Sequence, residues 1–536
     1  MTKFMSNTAV IWNDKLIAIL ITIAVYMIGM VIIGILASRR NKNVSDFYLG
    51  GRKLGPIVTA MSAEASDMSS WLLMGLPGVA YLTGCAEAVW TAVGLAIGTY
   101  INWLIVAKRL RVYTQKCDAI TIPDFFSNRY RDNHNILMGI AALIILIFFV
   151  PYTASGFSAC GKLFGTLFGL DYHVAMILSA IIIMAYTSVG GFLAASTTDL
   201  IQSIVMTAAL VLLVVFGVVS AGGMGAVIEN AGELKGYLSL TELHDPTVEG
   251  GTGSTPYSLL SIASLLAWGL GYFGMPHVLL RFMAIEDKEK IKTSRRIATV
   301  WVVISMGVAI FVGIIGNTLS ADGNIAVLTG SSESETIIMK MAMLLSELGI
   351  PAAVMAGLVF AGILASTMST SDSQLLAASS SMSENLLKGM FKIKMNDKQS
   401  MFSARAVLLV IAALSVVVAW NPDSSVFRIV SFAWAGFGAT FGPVMLLALF
   451  WKRSNKWGAL VGMVAGGVMV FVWKFVIAKL GGVWSIYELL PAFVVALIVN
   501  VVVSLVTAAP TQDMLDEFDA VNAELKGKTA AVSKSK

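Results

Sequence analysis

Long apolar runs recur along the whole chain, and they constrain its fold more than any other feature. Thirteen of them are long enough to cross a bilayer as a helix, which takes about 20 residues. They lie at about 16–38, 55–80, 84–107, 136–161, 172–190, 198–221, 257–280, 298–319, 351–380, 404–420, 427–451, 457–478 and 484–507. Charged residues make up only 13% of the chain, whereas a soluble domain has about 25%. The sequence therefore predicts an all-α polytopic membrane protein with about 13 transmembrane helices.

Lys and Arg residues are concentrated in alternate loops between these runs. Most of the 37 lie in five loops on one side of the predicted membrane, at 39–53, 108–131, 281–296, 388–405 and 452–456. Because cytoplasmic loops retain the positive charge, we expect this side to be cytoplasmic, with the N-terminus outside and the C-terminal tail inside. The net charge of +5 follows from these loops and gives no indication of nucleic-acid binding.

The segments outside the runs are too short to form a soluble domain with its own core. The first run is followed by the basic stretch SRRNK and is longer than the core of a signal peptide, so we expect a true first span. The tail from about 510 has helical patterning with mixed charge, and we expect a solvated helix there. Cys85, Cys117 and Cys160 are scattered and predict neither a metal site nor a disulfide framework.

Two of the predicted spans are interrupted. The second carries Glu64 and Asp67 in SAEASDMSS, and the seventh contains AWGLGYFGMPH, with three glycines and a proline in eleven residues. A charge at bilayer depth costs at least about 2–3 kcal/mol, and irregular backbone is tolerated there only where it lines a cavity or is buried in protein. These spans begin two five-span units, spans 2–6 and 7–11. This pattern indicates an inverted-repeat transporter with its substrate site at the midplane.

The two carboxylates of the second span are one helical turn apart and would repel each other if both were ionised. We expect Asp67 to cap the interrupted helix, since anions are favoured at helix N-termini. One of the pair, Glu64 or Asp67, is then expected to be protonated, hydrated or paired with Lys or Arg.

The ninth predicted span places three hydroxyl groups on one helix face. Ser366, Ser369 and Thr370 fall at positions i, i+3 and i+4. Hydroxyls in a spanning helix commonly bond to their own backbone or to a neighbouring helix. Three on one face, beside a broken helix with free carbonyls, favour a site for a small monovalent cation.

Seven segments, in order from the end of the first span to the eleventh, resemble the solute:sodium symporter family, and within it the bacterial sodium/proline symporters. They are YLGGRKLGP, ASDMSSWLLMGLPG, FVPYTASG, GGFLAASTTDLIQ, WGLGYFGMPHVLLRFMA, ILASTMSTSDSQLL and SFAWAGFGATFGP. The resemblance implies a leucine-transporter-type fold with a 5+5 inverted repeat and broken helices. It also implies sodium-coupled uptake of L-proline by alternating access, across a bacterial cell membrane.

The resemblance further implies a role for individual residues. The sodium ligands would be the carbonyls of Ala65, Met68 and Ser366 and the hydroxyls of Ser369 and Thr370. The proline pocket would be formed by Trp71, Gly75, Tyr152, Trp268, Tyr272 and Pro276. The supporting residues would be Asp67, Arg52 and Ser69.

The chain departs from the family pattern at three positions of these motifs. Ser366, Ser70 and Glu64 stand where the proline symporters carry Ala, Gly and a small residue. A carbonyl ligand tolerates the change from Ala to Ser, whereas Ser70 is expected to alter the pocket beside Trp71. Glu64 has no role in the family, and it leaves open whether a proton or a second cation is involved.

The resemblance also divides the chain into five segments. These are the first span with its loop (1–54), the first five-helix repeat (55–221), the second repeat (257–451), two additional spans (452–507) and a cytoplasmic tail (508–536). Sodium symport of another small carboxylate or amino acid, such as pantothenate, stays open, as do a transporter-like sensor and the oligomeric state. A sugar is disfavoured, because its hydroxyls would call for more Asn, Gln and Asp in the broken spans. An enzyme is not expected, because four histidines in 536 residues leave little acid–base machinery.

Overall fold

The computed structural model describes residues 13–38, 44–245 and 253–527, and most of them are helical. Eight of the predicted spans are single helices in this part of the chain, with the bounds Asp14–Ser38, Ile136–Phe168, Tyr172–Gly190, Phe192–Ser220, Ile291–Ala321, Asp397–Val418, Val426–Phe450 and Leu489–Val506. Large apolar side chains on their outer faces are exposed, as on the first span, where Val25 is 65% and Ile28 is 60% exposed. Such faces suit contact with lipid.

Five further spans combine helical segments of different type. The twelfth comprises Lys456–Val472, a π-helical turn Trp473–Ile477 and a 3₁₀ turn Ala478–Leu480. The third comprises Cys85–Ile101, a π-helical turn Asn102–Val106 and Ala107–Lys116. The ninth runs through Ile350–Ser380 and continues as the π-helical segment Ser381–Met390.

The second and seventh spans are broken, as the sequence predicts. The second comprises Pro56–Ser70, a π-helical turn Trp71–Gly75 and Leu76–Thr83. The seventh comprises Leu259–Leu266, a 3₁₀ segment Ala267–Phe273 and Pro276–Ala284, with a bend of 47° before the last helix. Pro276 has no N–H to donate and therefore suits the first position of that helix.

By length and hydropathy, ten helices in the described residues could cross a membrane, or eleven with the bent pair of the seventh span. The second and fifth predicted spans are helical too but fall outside this count. The second is polar at its centre, with Glu64 and Asp67 in one turn, and the fifth counts only as a short apolar helix, Tyr172–Met184.

Short elements connect the spans. The helical ones are Val44–Leu49, Gly50–Arg52, Ile122–Arg129, Met224–Glu233, Lys288–Lys290, Ser331–Ser334, Ile337–Ser346 and Gly482–Trp484. The strands Glu242–Asp245 and Gly253–Pro256 form an antiparallel hairpin in which Leu243 pairs with Thr255.

The second and ninth spans lie at the centre of the fold. Every residue from Thr59 to Ser70 is buried, and so is every residue from Val359 to Ser380. These two helices pack against each other and against the sixth span, Phe192–Ser220. The residues with predicted functions therefore lie in the protein interior and not on a lipid-facing surface.

The tail helix Gln512–Leu525 is docked on the protein, so the expectation of a solvated helix is wrong. Met514, Phe518 and Val521 are buried and lie on one face because their spacing is helical. Phe518 packs beneath two guanidinium groups, those of Arg109 at 4.9 Å and Arg129 at 5.5 Å from its ring centroid.

Acidic residues along the same helix pair with basic residues of the loops. Asp513 and Glu517 both contact Arg131, at 2.9 and 2.7 Å. Glu524 contacts Lys288 at 2.7 Å and Lys116 at 3.0 Å. The hydrogen bond from Lys288 lowers the pKa of Glu524. The tail helix thus contacts the end of the third span, the loop before the fourth span and the loop after the seventh span.

Candidate functional site

The break in the second span is centred on Ser69. This residue is buried and has a φ of +48°, a backbone conformation that costs a non-glycine residue about 1 kcal/mol or more. Its hydroxyl accepts a 3.1 Å hydrogen bond from the Trp71 amide. Ser69 therefore caps the turn that follows, and the expectation that Asp67 would do so is wrong.

Asp67 instead joins the broken second span to two other spans. Its Oδ2 accepts a 2.6 Å hydrogen bond from the Tyr272 hydroxyl, and its backbone carbonyl accepts one of 2.9 Å from the Tyr152 hydroxyl. Asp67 Oδ1 is buried and has no partner among the described residues. The structure thus brings together three of the predicted site residues, one each from the second, fourth and seventh spans.

Oxygen atoms of the second and ninth spans converge one turn before the break. The Ser369 hydroxyl lies 2.8 Å from the Ala65 carbonyl and 3.3 Å from the Ser366 carbonyl. The Thr370 hydroxyl lies 3.1 Å from that Ser366 carbonyl. Four of the five predicted sodium ligands therefore form one cluster, whereas the Met68 carbonyl accepts the Trp71 amide.

Aromatic rings form a cluster at the π-helical turn of the second span. The centroid of Trp71 lies 5.5 Å from that of Trp268 and 5.7 Å from that of Phe427, and the last two are 5.5 Å apart. Gly75 lies against the same Phe427, and a Cβ added at Gly75 would come within 3.2 Å of the Phe427 Cβ. The sequence analysis missed Phe427, because a lone aromatic residue at the start of a spanning helix is usually packing or an interface residue.

The irregular segment of the seventh span is held by side chains from two neighbouring spans. Trp434 Nε1 donates to the Trp268 carbonyl at 2.8 Å, and Asn102 Nδ2 donates to the Tyr272 carbonyl at 3.0 Å. Trp434 also meets the Tyr272 ring edge-on at 5.1 Å. These bonds satisfy backbone groups that the break leaves free, as burial in a membrane protein requires.

Arg52 lies outside this site. Its guanidinium donates to the backbone carbonyls of Met283 and Ala119, both at 2.8 Å, and to that of Thr114 at 3.2 Å. Arg52 thereby ties the loop after the first span to the ends of the third and seventh spans, on the side of the basic loops. Burial lowers the pKa of this guanidinium to about 10.

Glu64 is fully enclosed one turn before Asp67. Its Oε1 accepts a 2.9 Å hydrogen bond from Trp103 Nε1, and its Oε2 has no partner among the described residues. No Lys or Arg of the described ranges pairs with it, so the paired arrangement that the sequence left open does not occur there.

A buried ion pair lies beside the ninth span. Arg281 Nη2 is 3.2 Å from Asp199 Oδ2 and 2.5 Å from the Ser373 hydroxyl. The Ser373 hydroxyl also donates to the carbonyl of Ser369 at 3.0 Å. This network connects the motifs GGFLAASTTDLIQ and WGLGYFGMPHVLLRFMA to the oxygen cluster, a contact that the sequence analysis did not predict.

A cavity of about 510 Å³ adjoins the aromatic cluster. Gly75, Trp268 and Phe427 line it, together with residues from the ends of the third, eleventh and thirteenth spans that lie opposite the basic loops. The aromatic cluster therefore separates this cavity from the oxygen cluster around Ser369.

Two broken helices in a polytopic helical membrane protein, with clustered oxygens between them, define a secondary transporter of the leucine-transporter type. The solved structure of a Na⁺-coupled sialic acid symporter, in a substrate-bound outward-open state, matches with a TM-score of 0.75 at 18% identity, over 92% of this chain and 99% of that chain. This similarity confirms the predicted fold class.

The sequence profile of the Sodium:solute symporter family matches residues 47–466. The chain belongs to this family, as its motifs predict, and it is a transporter and not an enzyme. It is 44% identical to the sodium/proline symporter of Haemophilus influenzae, over 93% of this chain and 97% of that protein. It is 41% identical to the high-affinity proline transporter PutP of Bacillus subtilis, over 91% and 98%.

Proposed function

We propose that this protein imports L-proline into bacteria together with sodium, by alternating access. The observation that carries the proposal is the contact between Ser369 and the Ala65 carbonyl, which joins the hydroxyl face of the ninth span to the broken second span. The relatives named for sodium and proline span almost the whole chain and support the choice of solute. The basic loops favour a cytoplasmic tail and an outer N-terminus, and the repeats are proposed at 55–221 and 257–451.

Sodium is proposed to bind at the oxygen cluster. Sodium prefers several hard oxygen ligands, and the carbonyls of Ala65 and Ser366 with the hydroxyls of Ser369 and Thr370 supply four without a formal charge. Met68 would complete the set by turning its carbonyl from the Trp71 amide to the ion. The polar side chains of Asp67 and of the Asp199–Arg281 pair lie nearby, so the ion would enter a polar interior and not hydrocarbon.

Proline is proposed to bind beside the break in the second span, between the aromatic cluster and Asp67 with its two tyrosine partners, Tyr152 and Tyr272. Its apolar ring requires flat walls, which Trp71 and Trp268 supply, and its ammonium is attracted by the negative faces of such rings. Trp71 Nε1 is buried without a partner in the described part of the chain, and it is a donor suited to a carboxylate. Tyr152, Tyr272, Gly75 and Pro276 would shape the remaining walls.

Asp67 is proposed to act as a positioning residue. Its two tyrosine contacts hold the broken second span against the fourth and seventh spans. Arg52 would act at a distance, by holding together the ends of the third and seventh spans on the side of the basic loops. Release of its backbone contacts would accompany the opening of the site to that side.

The driving force of such a symporter sets the highest ratio of internal to external proline that it could maintain. One charge moved through 100 mV releases about 2.3 kcal/mol, and a tenfold sodium gradient adds about 1.4 kcal/mol. One sodium ion per zwitterionic proline would therefore support roughly 500-fold accumulation.

The test is uptake of radiolabelled proline into proteoliposomes with imposed ion gradients. We expect uptake to require external sodium and to rise with an inside-negative potential. Pantothenate, lactate and glucose serve as competitors, and proline analogues as positive controls. Undiminished proline uptake without sodium, or stronger competition by pantothenate than by proline itself, would contradict the proposal.

A further inference from the structure

The elements on the side of the basic loops form two groups, each held together by its own hydrogen bonds. The members of the first group are residues 44–54, 107–119 and 276–290. Arg111 Nε donates to the Ile285 carbonyl at 2.7 Å, and the Leu54 amide donates to the Ala284 carbonyl at 3.1 Å. Arg52 joins the same elements through its three backbone contacts. The ends of the third and seventh spans are therefore held as one unit.

The second group lies directly before the fourth span. Its members are residues 122–135 and 448–456. Arg129 Nε donates to the Ala448 carbonyl at 3.2 Å, and the hydroxyls of Tyr130 and Ser454 are 2.7 Å apart. The chain that leads into the fourth span is thereby held to the end of the eleventh span.

The tail helix lies across the boundary between these two groups. Toward its C-terminal end, Glu524 pairs with Lys116 and Lys288 of the first group. Toward its N-terminal end, two carboxylates pair with Arg131 of the second group. The two sets of ion pairs are about two to three helical turns apart on one rigid helix. The tail helix therefore holds the two groups at a fixed separation.

An aromatic ring lies between these two sets of ion pairs. The Phe518 ring packs beneath the guanidinium of Arg109, from the first group, and that of Arg129, from the second. The groups also meet directly, where Tyr113 packs edge-on against Phe125 at 5.6 Å. The tail helix thus reinforces a boundary at which the two groups are already in contact.

The proposed central site lies between spans that end in different groups. Asp67 is bonded to Tyr272 of the seventh span and to Tyr152 of the fourth. A solute that leaves this site toward the basic loops would therefore pass between the two groups, and the tail helix lies across that exit. The cavity at the aromatic cluster lies on the opposite side of the site.

We propose that the tail helix is a clamp that keeps the transporter closed on the side of the basic loops, and that salt on that side releases it. Partly exposed ion pairs are individually weak. Raising the salt from about 0.1 to 1 M shortens the range of their attraction from about 10 to 3 Å. Such contacts can be broken and remade in every transport cycle. The inference rests on alternating access, as proposed above.

Glu524 allows the clamp to be opened at one group only. Glu524→Gln removes the ion pairs with the first group and keeps those with Arg131. Asp516→Asn is the matched control, because Asp516 is exposed on the same helix and is contacted there by Gln512 at 2.8 Å. The variant E524K/K116E/K288E exchanges the charges and restores the pairing, which separates lost ion pairs from a local folding defect.

The first measurement is the maximal rate of sodium-driven proline uptake into proteoliposomes at several luminal salt concentrations. Protein with its basic loops facing the lumen is identified by protection of its tail from external protease. Choline chloride varies the salt without changing the sodium gradient, and sucrose balances the osmolarity. Because every cycle opens the site toward the basic loops, release of the clamp should raise the maximal rate.

We expect the wild-type rate to rise about 3- to 10-fold between about 0.1 and 1 M luminal salt, as for the loss of one or two partly exposed ion pairs. Glu524→Gln should start near the raised rate and respond less to salt. Asp516→Asn and the charge-exchanged variant should follow the wild type. The same salt added outside should leave the rate nearly unchanged.

The native thiol of Cys117 gives a second readout, which needs no solute. Cys117 is only partly exposed and lies at the boundary, where Asn128 of the second group donates to its carbonyl at 3.0 Å. It is the single thiol of the chain in a C85S/C160A background. Its labelling by a maleimide in nanodiscs should become faster with salt and in Glu524→Gln. Labelling in Asp516→Asn should match the wild type.

The two readouts distinguish failure of the clamp from failure of the proposed function. A wild-type rate that stays constant or falls with luminal salt, or a lower rate in Glu524→Gln, would overturn the clamp and leave proline symport intact. Faster labelling of Cys117 without faster uptake would show that the helix detaches without restraining transport, which also overturns the clamp. Absence of sodium-driven proline uptake would overturn the proposed function, and labelling of Cys117 would then decide the clamp alone.

Discussion

The Tyr272 hydroxyl and the Asp67 carboxylate form a 2.6 Å hydrogen bond that joins the seventh span to the second. Both residues lie at the irregular segments of their helices. A hydrogen bond between two breaks constrains the distance between them. We therefore expect Asp67 to position both halves of the site, and the substitutions below test this role against direct binding of the ion.

Substitution of Asp67 tests that role. Asp67→Asn keeps an acceptor oxygen for Tyr272, so we expect measurable proline transport with a raised sodium constant. Asp67→Ala removes the acceptor and should leave little transport. The measurement is initial uptake against sodium concentration at matched expression. Equal failure of both variants at every sodium concentration would indicate that the carboxylate binds sodium directly.

The hydroxyls of the ninth span differ in what they contact, and this difference predicts their effects on sodium. Ser369→Ala and Thr370→Ala each remove one oxygen from the cluster, so the apparent sodium constant should rise about tenfold, or about 1.4 kcal/mol. The maximal rate should partly recover at high sodium. Ser366→Ala is the matched control, because the Ser366 hydroxyl bonds back to the Ile363 carbonyl at 2.8 Å and only its carbonyl belongs to the cluster. An unchanged sodium constant in both Ser369 and Thr370 variants would remove the ninth span from the site.

Trp71 should affect proline more than sodium. Trp71→Ala removes a ring wall and the Nε1 donor, and we expect proline binding to weaken by about 1–2 kcal/mol, or roughly 5- to 30-fold. Sodium binding measured without proline should change by much less. Trp484→Ala, at a ring contact with Trp473 far along the chain, controls for loss of a tryptophan. An equal loss of both affinities in Trp71→Ala would indicate a folding defect or a misplaced pocket.

The Lys162–Glu335 pair should be important for stability. The two side chains are only 6% and 2% exposed, and Glu335 also accepts the amides of Val426 and Phe427. Glu335→Ala leaves Lys162 buried without a counter-charge, which costs about 3–5 kcal/mol. Thermal unfolding in detergent should therefore shift to a clearly lower temperature.

A matched control for that substitution is available. Glu347 pairs with Lys15 at 2.6 Å, but its side chain is 64% exposed, and exposed pairs contribute at most about 1 kcal/mol. Glu347→Ala should therefore leave the unfolding temperature nearly unchanged. Equal shifts in the two variants would contradict the importance of burial at Glu335.

The attachment of the tail helix to the rest of the protein should weaken at high salt. Its ion pairs with Arg131, Lys116 and Lys288 involve partly exposed side chains, and ions screen such pairs. The variant D513N/E517Q/E524Q should make the tail more accessible to limited proteolysis, and high salt should have the same effect on the wild type. Phe518→Leu, which keeps the apolar contact, is the control. Protection of the triple variant equal to that of the wild type would show that apolar packing alone holds the helix.

The sequence predicted the architecture well because its main signals are local. Apolar length defines most spans, and the clusters of Gly, Pro and carboxylates at 64–67 and 267–277 identified the two breaks. The oxygen face of the ninth span followed from helical spacing alone. These signals are readable because each arises within one stretch of chain.

The missed contacts are those that join distant stretches without any local irregularity. Phe427 and Trp434 lie in an ordinary apolar helix, and only the packing of the eleventh span places them beside Trp71 and Trp268. Likewise, nothing in the sequence around Trp103 indicates that its Nε1 donates a hydrogen bond to Glu64. The docking of Phe518 depends on Arg109 and Arg129, which lie on different helices and are brought together only by folding.

The tail helix also has a consequence for the order of synthesis. Arg131 and its partner Asp513 are 382 residues apart in the chain, which is roughly 20–80 s of translation at about 5–20 residues per second. During that interval the basic loops have been made but their acidic partner has not. Anionic lipid headgroups, which attract juxtamembrane Lys and Arg, are then the available counter-ions, and the emerging helix must displace them. We therefore expect the ion pairs of the tail helix to form by exchange with the bilayer surface, after every span has left the ribosome.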